Sequence, residues 1–301
     1  MKFNKNELVK SPLNYTGGKY KLLPQILPLF PDNIDTFYDV FAGGCNVGVN
    51  VKANKIICND IESSVINLMK YFKTTNEDKV FQDVFGIIKE YNLLNYPIKG
   101  NDNYNALKEH GKKSYLNLRQ VYNGVENIFD KNILFYTLCC YSFSNQIRFN
   151  NKGHFNMPYG ERYFNESMQS NLKIFLKKLK YKNIKFINRN FLEINIDTLN
   201  KNDFIYCDPP YLITCASYNE NGGWDEKREC QLLDLLDNLN SKGIKFAMSN
   251  VLENKGKSND ILKDWANKYN IHYLNNSYGN CNYHAKDKSK NSTIEVLITN
   301  Y

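Results

Sequence analysis

The stretch around residues 36–60 constrains this chain more than any other. Residues 36–41 (TFYDVF) form an aromatic and β-branched run, followed by a glycine-containing turn over residues 42–46 and a second apolar run at residues 55–58 (KIIC) that stops at Asn59-Asp60. Short apolar runs bounded by Gly, Asn and Asp are buried-strand signals, and a short segment between them, residues 47–53, has room for a helix. The last third continues in this way. Residues 184–187, 204–207, 244–248, 271–274 and 295–299 are strand-like. Between them, residues 226–239 are helical, with Leu232, Leu235, Leu236 and Leu239 on one side, and residues 261–269 form another helix. Strands alternating with helices predict an α/β sheet.

The middle breaks the pattern. Residues 63–182 carry few strand signals and several helical stretches, at 65–72, 80–91 and 171–182, which predicts a mostly helical insertion between the second and third strands. The Asn-rich residues 101–105 are expected as a surface turn, and there is no internal repeat or long linker. A chain of 301 residues accommodates such a core with a second lobe. No run of about 18 apolar residues suggests a membrane span, and residues 1–10 lack the apolar core of a secretory signal, so a cytoplasmic protein with no membrane partner is expected. Eight cysteines without a CxxC pair, and four histidines without zinc spacing, are expected to be reduced packing residues with no metal site. The net charge of +8 suits a polyanionic partner, although many basic proteins bind no nucleic acid.

Two segments carry recognisable chemistry. In Asp39-Val40-Phe41-Ala42-Gly43-Gly44-Cys45-Asn46-Val47-Gly48, glycines after a strand let backbone approach a ligand closely. Asp60 follows at the end of the next strand, where a carboxylate can accept hydrogen bonds from both hydroxyls of a ribose. Alone this indicates a nucleoside-containing ligand or merely a tight turn, and the absence of GxGxxG disfavours a nicotinamide dinucleotide. The second segment is Phe204-Ile205-Tyr206-Cys207-Asp208-Pro209-Pro210-Tyr211. The two prolines stiffen the chain and remove N–H donors, so Asp208 is held at the carboxyl end of a strand, where α/β ligand sites lie. Asp208 and the Pro209 carbonyl are two acceptors for one NH₂ group, and Tyr211 is a platform for a flat ring. A third segment, Asn14-Tyr15-Thr16-Gly17-Gly18-Lys19, fails the phosphate-loop pattern and by itself is a plain surface turn.

Together these segments resemble the Dam-type, or D12 class, α-group of site-specific DNA adenine-N6 methyltransferases. The resemblance covers nearly the whole length: NYTGGKYKLL at 14–23, YDVFAGGCNVGVN at 38–50, NDIE at 59–62 and DPPY at 208–211, in the order of the α-group. It implies a Rossmann-like S-adenosylmethionine-dependent methyltransferase sheet at 1–62 and 183–301, with a helical DNA target-recognition domain at 63–182. It also implies methyl transfer from S-adenosyl-L-methionine to adenine N6 in double-stranded DNA by base flipping. Phe41, Ala42 and Gly43 would line the methionine side of the cofactor with Tyr15 and Lys19 nearby. Asp60 would hold the ribose, Ile61 would pack on the cofactor adenine, and Asp208 would lie against the cofactor as well as the target. Asp208 and Pro209 would bind the target amine, and Tyr211 would stack on the flipped base. At Asn190-Phe191 the family often has Asp-Phe.

Residues 143–160 (FSNQIRFNNKGHFNMPYG) contain Arg, Asn and Gln suited to base edges, and by composition they equally fit a polar surface hairpin. They resemble the family's recognition element, which implies DNA-reading roles for Arg148, Asn150, Phe155 and Pro158; Ser144 replaces the Asn common in GATC-type members. The basic stretch 171–189 is either a solvated helix face or a phosphate contact. The alternatives are a cytosine-N4 DNA methyltransferase, for which Ser is more usual at position 208, an RNA or protein-amide methyltransferase, and a catalytically inactive DNA-binding relative. A monomer or weak dimer is expected, in a stand-alone bacterial or phage system or beside a restriction endonuclease that shares the site but not the complex.

Overall fold

The computed structural model describes residues 7–124, 128–214, 223–275 and 293–301. The chain divides into two compact units: Met1–Leu8, Lys19–Ile61 and Asn183–Tyr301 form the first, and Val9–Gly18 and Glu62–Lys182 the second.

The first unit is a mixed α/β structure around one sheet. Strands β1 (Thr36–Asp39), β2 (Lys55–Asn59), β3 (Ile184–Ile187), β4 (Phe204–Cys207) and β5 (Lys245–Asn254) are joined in parallel, and β7 (Asn270–Leu274) and β8 (Thr293–Thr299) are antiparallel. The order is β3-β2-β1-β4-β5-β8-β7, so the chain reverses direction across the sheet between β1 and β4. In open α/β sheets that switch point is where ligands bind, outside the carboxyl ends of the strands. β4 is buried along its whole length, as expected for an apolar strand with neighbours on both sides. Helices α1 (Leu23–Ile26), α7 (Glu226–Ser241) and α8 (Asp260–Ala266) belong to this unit. Leu232, Leu236 and Leu239 of α7 pack with Ile205, Cys207, Phe246 and Met248 of β4 and β5.

Two sequence expectations change here. Residues 47–53 form turns and irregular backbone, buried over 47–51, without a helix. Cys45 takes a left-handed φ of 63° and Gly48 donates to the Asp39 side chain, which satisfies the backbone without a helix. β5 is longer than its apolar run because β8 pairs with it from Ala247 to Asn254, and Lys255-Gly256, both at positive φ, turn it into the two-residue strand β6 (Lys257–Ser258).

The second unit is helical: α2 (Ser63–Thr74), α3 (Glu77–Glu90), α4 (Tyr104–Gly124), α5 (Ile128–Tyr141) and α6 (Glu166–Tyr181). Asn76 and Asn165 accept from backbone N–H groups in the first turns of α3 and α6, which fixes starts that the apolar pattern underestimates. Lys73 donates to the carbonyls of Leu179 and Lys182 at 2.7 Å each, a cation at the carboxyl end of α6. Helix α5 is the core: residues 132–141 are buried, and the segment is apolar on all sides. Residues 9–18 cluster with this unit, tied by Asn14 to the Ser144 carbonyl and by Asn171 to the Ser11 carbonyl. No helix among the described residues is long and apolar enough to cross a membrane.

After α5 the chain forms a hairpin with bridges Ser142–Tyr159 and Phe149–Phe155. Gly160 closes its base, where a Cβ would lie 2.3 Å from the Ser142 carbonyl oxygen and 2.7 Å from the Phe143 Cα. Those neighbours are backbone and cannot step aside. Gly160→Ala is therefore expected to destabilise the protein by about 1–3 kcal/mol in urea unfolding, as for other overpacking changes; an unaltered midpoint would show that the hairpin base is slack.

Candidate active site at the switch point

Pro209 and Pro210 supply no N–H, so β4 stops and the chain leaves the sheet just past Asp208. Asp208, with 17% of its side chain exposed, meets the Lys19 Nζ at 2.8 Å. The Tyr211 hydroxyl donates to Asp208 Oδ1 at 3.0 Å and lies 3.3 Å from Glu295 Oε1 on β8. Lys19, only 4% exposed, also lies 3.6 Å from Glu295 and 5.0 Å from the centre of the Tyr211 ring. Lys19 is thus no part of a plain surface turn: it is a buried ammonium between two carboxylates, with an aromatic face beside it. Pro209 is buried next to this cluster in sequence.

The glycine turn after β1 lies at the neighbouring strand end. The Ala42 N–H donates to the Asn59 carbonyl, and the Gly43 N–H donates to Asp60 Oδ2 at 2.7 Å. Gly43 sits at φ 46°, a left-handed value that favours glycine. Asn188 donates to the carbonyls of both Asp60 and Ile61, holding this backbone in place. Ile61 is 68% exposed, an apolar side chain held in the open beside a buried carboxylate. Phe41 packs on Phe191 and Trp224, with ring centres 5.5 and 5.6 Å away. Asn190 caps the short turn Phe191–Glu193, its side chain accepting from the Leu192 N–H while Glu193 accepts from the Asn190 N–H.

In the second unit, the hairpin carries the other candidate residues. Arg148 is exposed and forks onto Asn156, donating to its side-chain oxygen at 2.8 Å and its carbonyl at 3.1 Å. Pro158 is exposed. Asn150 accepts from the N–H groups of Lys152 and His154 and so shapes the hairpin tip. Phe155 is buried among Tyr122, Phe135 and Phe149, and Asn123 clamps its backbone with paired hydrogen bonds. From there Phe155 anchors the hairpin. Tyr15 is half-buried, and its carbonyl accepts from the Gly18 N–H.

The model of the D12 class N6 adenine-specific DNA methyltransferase family matches residues 15–280. The chain belongs to this family. Type II methyltransferase M.FokI of Planomicrobium okeanokoites is 45% identical over 306 residues, covering 100% of this chain and 44% of that protein. Modification methylase StsI of Streptococcus sanguinis is 44% identical over 301 residues, covering 97% and 43%. The DNA adenine methylase of Salmonella typhi is 25% identical over 242 residues, 79% of each chain. The chain therefore spans less than half the length of the first two relatives.

Within this family member, sequence motifs led directly to Asp208, Tyr211, Lys19 and Asp60 but passed over two acids. Glu295 is 2% exposed and stands alone in the apolar run IEVLI, and Asp39 is buried in the run TFYDVF. A single acid inside a buried strand is costly unless it has partners, which is the signal that points to both. Burial pushes the Asp39 carboxyl well above the usual carboxylate range, helped by the charges of Asp208 and Asp60 and opposed by the Gly48 N–H and Lys19. Burial also raises Asp208, Lys19 pulls it back, and Glu295 pushes it up again. Cys45 and Cys58 are buried thiols with sulfurs 3.1 Å apart, Cys139, Cys140 and Cys207 are also buried and free, and Cys230 is free and exposed; Cys215 and Cys281 lie outside the described residues.

Removing the cation should expose this balance. Lys19→Met leaves Asp208 and Glu295 buried together, and breaking a buried pair costs about 3–5 kcal/mol. Asp208, whose folded-state pKa burial raises, holds its proton more tightly when folded, so its penalty fades as pH falls. The loss in urea unfolding is therefore expected to be larger at pH 8 than at pH 5; an equal loss at both would show that Lys19 does not face ionised carboxylates.

Proposed function

We propose that this chain transfers a methyl group from S-adenosyl-L-methionine to the N6 amine of adenine in double-stranded DNA, at a specific site, as the modification partner of a restriction system. The observation that carries this is the placement of Asp208 at the carboxyl end of β4, held by Lys19 and Tyr211 beside the glycine turn and Asp60. Membership in an adenine-specific DNA methyltransferase family supports the reaction, and relatives named as type II methyltransferase and modification methylase support the role.

The donor set suits such a cofactor. Asp60 offers a buried carboxylate for ribose hydroxyls, Ile61 an open apolar face for a purine, and Phe41, Ala42 and Gly43 the backbone of a close-approach turn. Among the described residues of the site, Asp208 and Glu295 both lie against the Lys19 ammonium, a balance that favours a cationic ligand. S-adenosyl-L-methionine, when bound, supplies an electrophilic methyl group on a positively charged sulfur.

The chain's own residues then have separate tasks. An adenine amine is a weak nucleophile because its lone pair is delocalised into the ring. Asp208 and the Pro209 carbonyl accept its two N–H bonds, which favours a pyramidal nitrogen with a localised lone pair. The Tyr211 ring supports the base plane, and its hydroxyl holds Asp208 in orientation. The methylated nitrogen is cationic and acidic, so the ionised Asp208 carboxylate stabilises it and stands ready for the proton it releases. Positioning and electrostatics supply most of the rate. A base inside a duplex cannot enter such a pocket, so the target nucleotide is extruded from the helix. In the second unit, Arg148 and its partner Asn156 present donors and acceptors suited to base edges, with Pro158 beside them and Asn150 and Phe155 holding the hairpin in shape.

Asp208→Ala should abolish methyl transfer to unmethylated DNA while S-adenosyl-L-methionine binding by calorimetry stays within about threefold of the parent, as expected for loss of a contact made to the reacting group. Turnover near the parental rate would remove Asp208 from the reaction. Because burial raises the Asp208 pKa, the rate should fall on the acid side at a pH above the ordinary carboxylate range; a flat rate down to that range would contradict an ionised Asp208. Arg148→Ala should relax or abolish site choice, scored by sequencing methylated sites, with little change in cofactor affinity; unchanged preference would exclude Arg148 from base reading.

A further inference from the structure

Glu295 has no part in the chemistry above, yet it is an almost fully buried acid within 3.6 Å of the Lys19 ammonium and 3.3 Å of the Tyr211 hydroxyl. A buried carboxylate in a strand is retained at a cost unless its charge is used. We propose that Glu295 is a positioning residue for Asp208: it shares Lys19 and Tyr211 with Asp208, so that neither neutralises Asp208 as an acceptor for the target amine. The proposal rests on the reading of Asp208 as that acceptor.

The geometry carries the argument. Lys19 alone beside Asp208 would form a tight, charge-neutral pair, and a carboxylate bound that closely to an ammonium is a weaker acceptor and a weaker base. With Glu295 on the other side, the ammonium is held between two carboxylates at 2.8 and 3.6 Å, and the two acids carry more negative charge than Lys19 cancels. The Tyr211 hydroxyl has one proton for two carboxylate acceptors, 3.0 and 3.3 Å away, and is pinned between them. Glu295 therefore does two things through its neighbours. It keeps Asp208 basic, in line with the upward push of its charge on Asp208, and it fixes the Tyr211 ring from the hydroxyl end. The excess negative charge also favours the cationic nitrogen that forms on the base.

Glu295→Gln preserves the shape and an acceptor oxygen but removes the charge. Two readouts are required of it: steady-state methyl transfer, and titration of the Asp208 carboxyl carbon by NMR in protein without cofactor or DNA. The expected result is a fall in kcat of at least about tenfold with KM values for DNA and cofactor within about threefold, the pattern of an interaction that matters in the transition state. The Asp208 titration should move to lower pH, because its negative neighbour is gone and Lys19 is left to it. Glu295→Asp, which keeps the charge, should leave the Asp208 titration nearer the parental position and provides the comparison if the Gln variant folds poorly. A parental kcat in the folded Gln variant, or a loss of kcat without movement of the Asp208 titration, overturns the proposal, the second by showing a merely structural role. If the parent chain methylates no adenine, the reading of the reaction falls by itself; the NMR titration still decides the linkage, and an unmoved Asp208 overturns it.

Discussion

One buried ammonium organises the functional end of the sheet unit. Lys19 comes from the first position of a short 3-10 helix, Lys19–Leu22, Asp208 from the end of β4 and Glu295 from the last strand, and they meet within 3.6 Å. Charges removed from water are costly alone and tolerable only when paired and hydrogen-bonded. The Lys19 site therefore couples three distant segments, and displacing any one of them changes the charge balance around a buried group. The sheet makes the meeting possible, because the reversal between β1 and β4 brings the glycine turn and the Asp-Pro-Pro-Tyr turn to neighbouring strand ends. Burial first, and neighbouring carboxylates second, make Asp39 and Asp208 hold their protons more tightly than ordinary aspartates.

Much of this was legible in the residues, for reasons that differ by element. Residues 184–187 and 204–207 are strands at the bounds their runs imply: β4 is buried along its whole length and needs no other signal, while β3, at the sheet edge, alternates buried and exposed residues. β5 outran its apolar pattern because its length is set by β8 and by the Lys255-Gly256 turn, which are properties of its partners. Residues 47–53 had the composition of a short helix, but the left-handed Cys45 and the hydrogen bond from Gly48 to Asp39 satisfy that backbone as turns. Helices α4 and α5 were not marked for opposite reasons. α5 is apolar on every side and so lacks a 3.6-residue stripe, while α4 is polar and carries Gly111, where a Cβ would lie 2.3 Å from the Tyr159 hydroxyl.

In the site, residues inside compact motifs could be read and residues brought in by tertiary structure could not. Gly43, Asp208 and Tyr211 sit within a few positions of a glycine or proline turn that announces them, and Asp60 follows directly on the apolar run of β2. Glu295 is a lone acid in an apolar strand, 84 residues from the tyrosine it meets. The hairpin shows the converse. Its polar and aromatic residues all resembled readers of DNA, yet burial separates them: Arg148 and Pro158 are exposed, Asn150 shapes the tip and Phe155 is core. Alternation of buried and exposed residues along a hairpin is thus what divides the residues that shape it from those it presents.

The most direct test is the product. Purified protein incubated with S-adenosyl-L-methionine and unmethylated double-stranded DNA, followed by digestion and nucleoside mass spectrometry, should yield N6-methyladenine, confined on sequencing to one short motif. N4-methylcytosine in its place, or no methylated base although the cofactor binds, would contradict the assignment of the Asp208 site to an adenine amine in DNA.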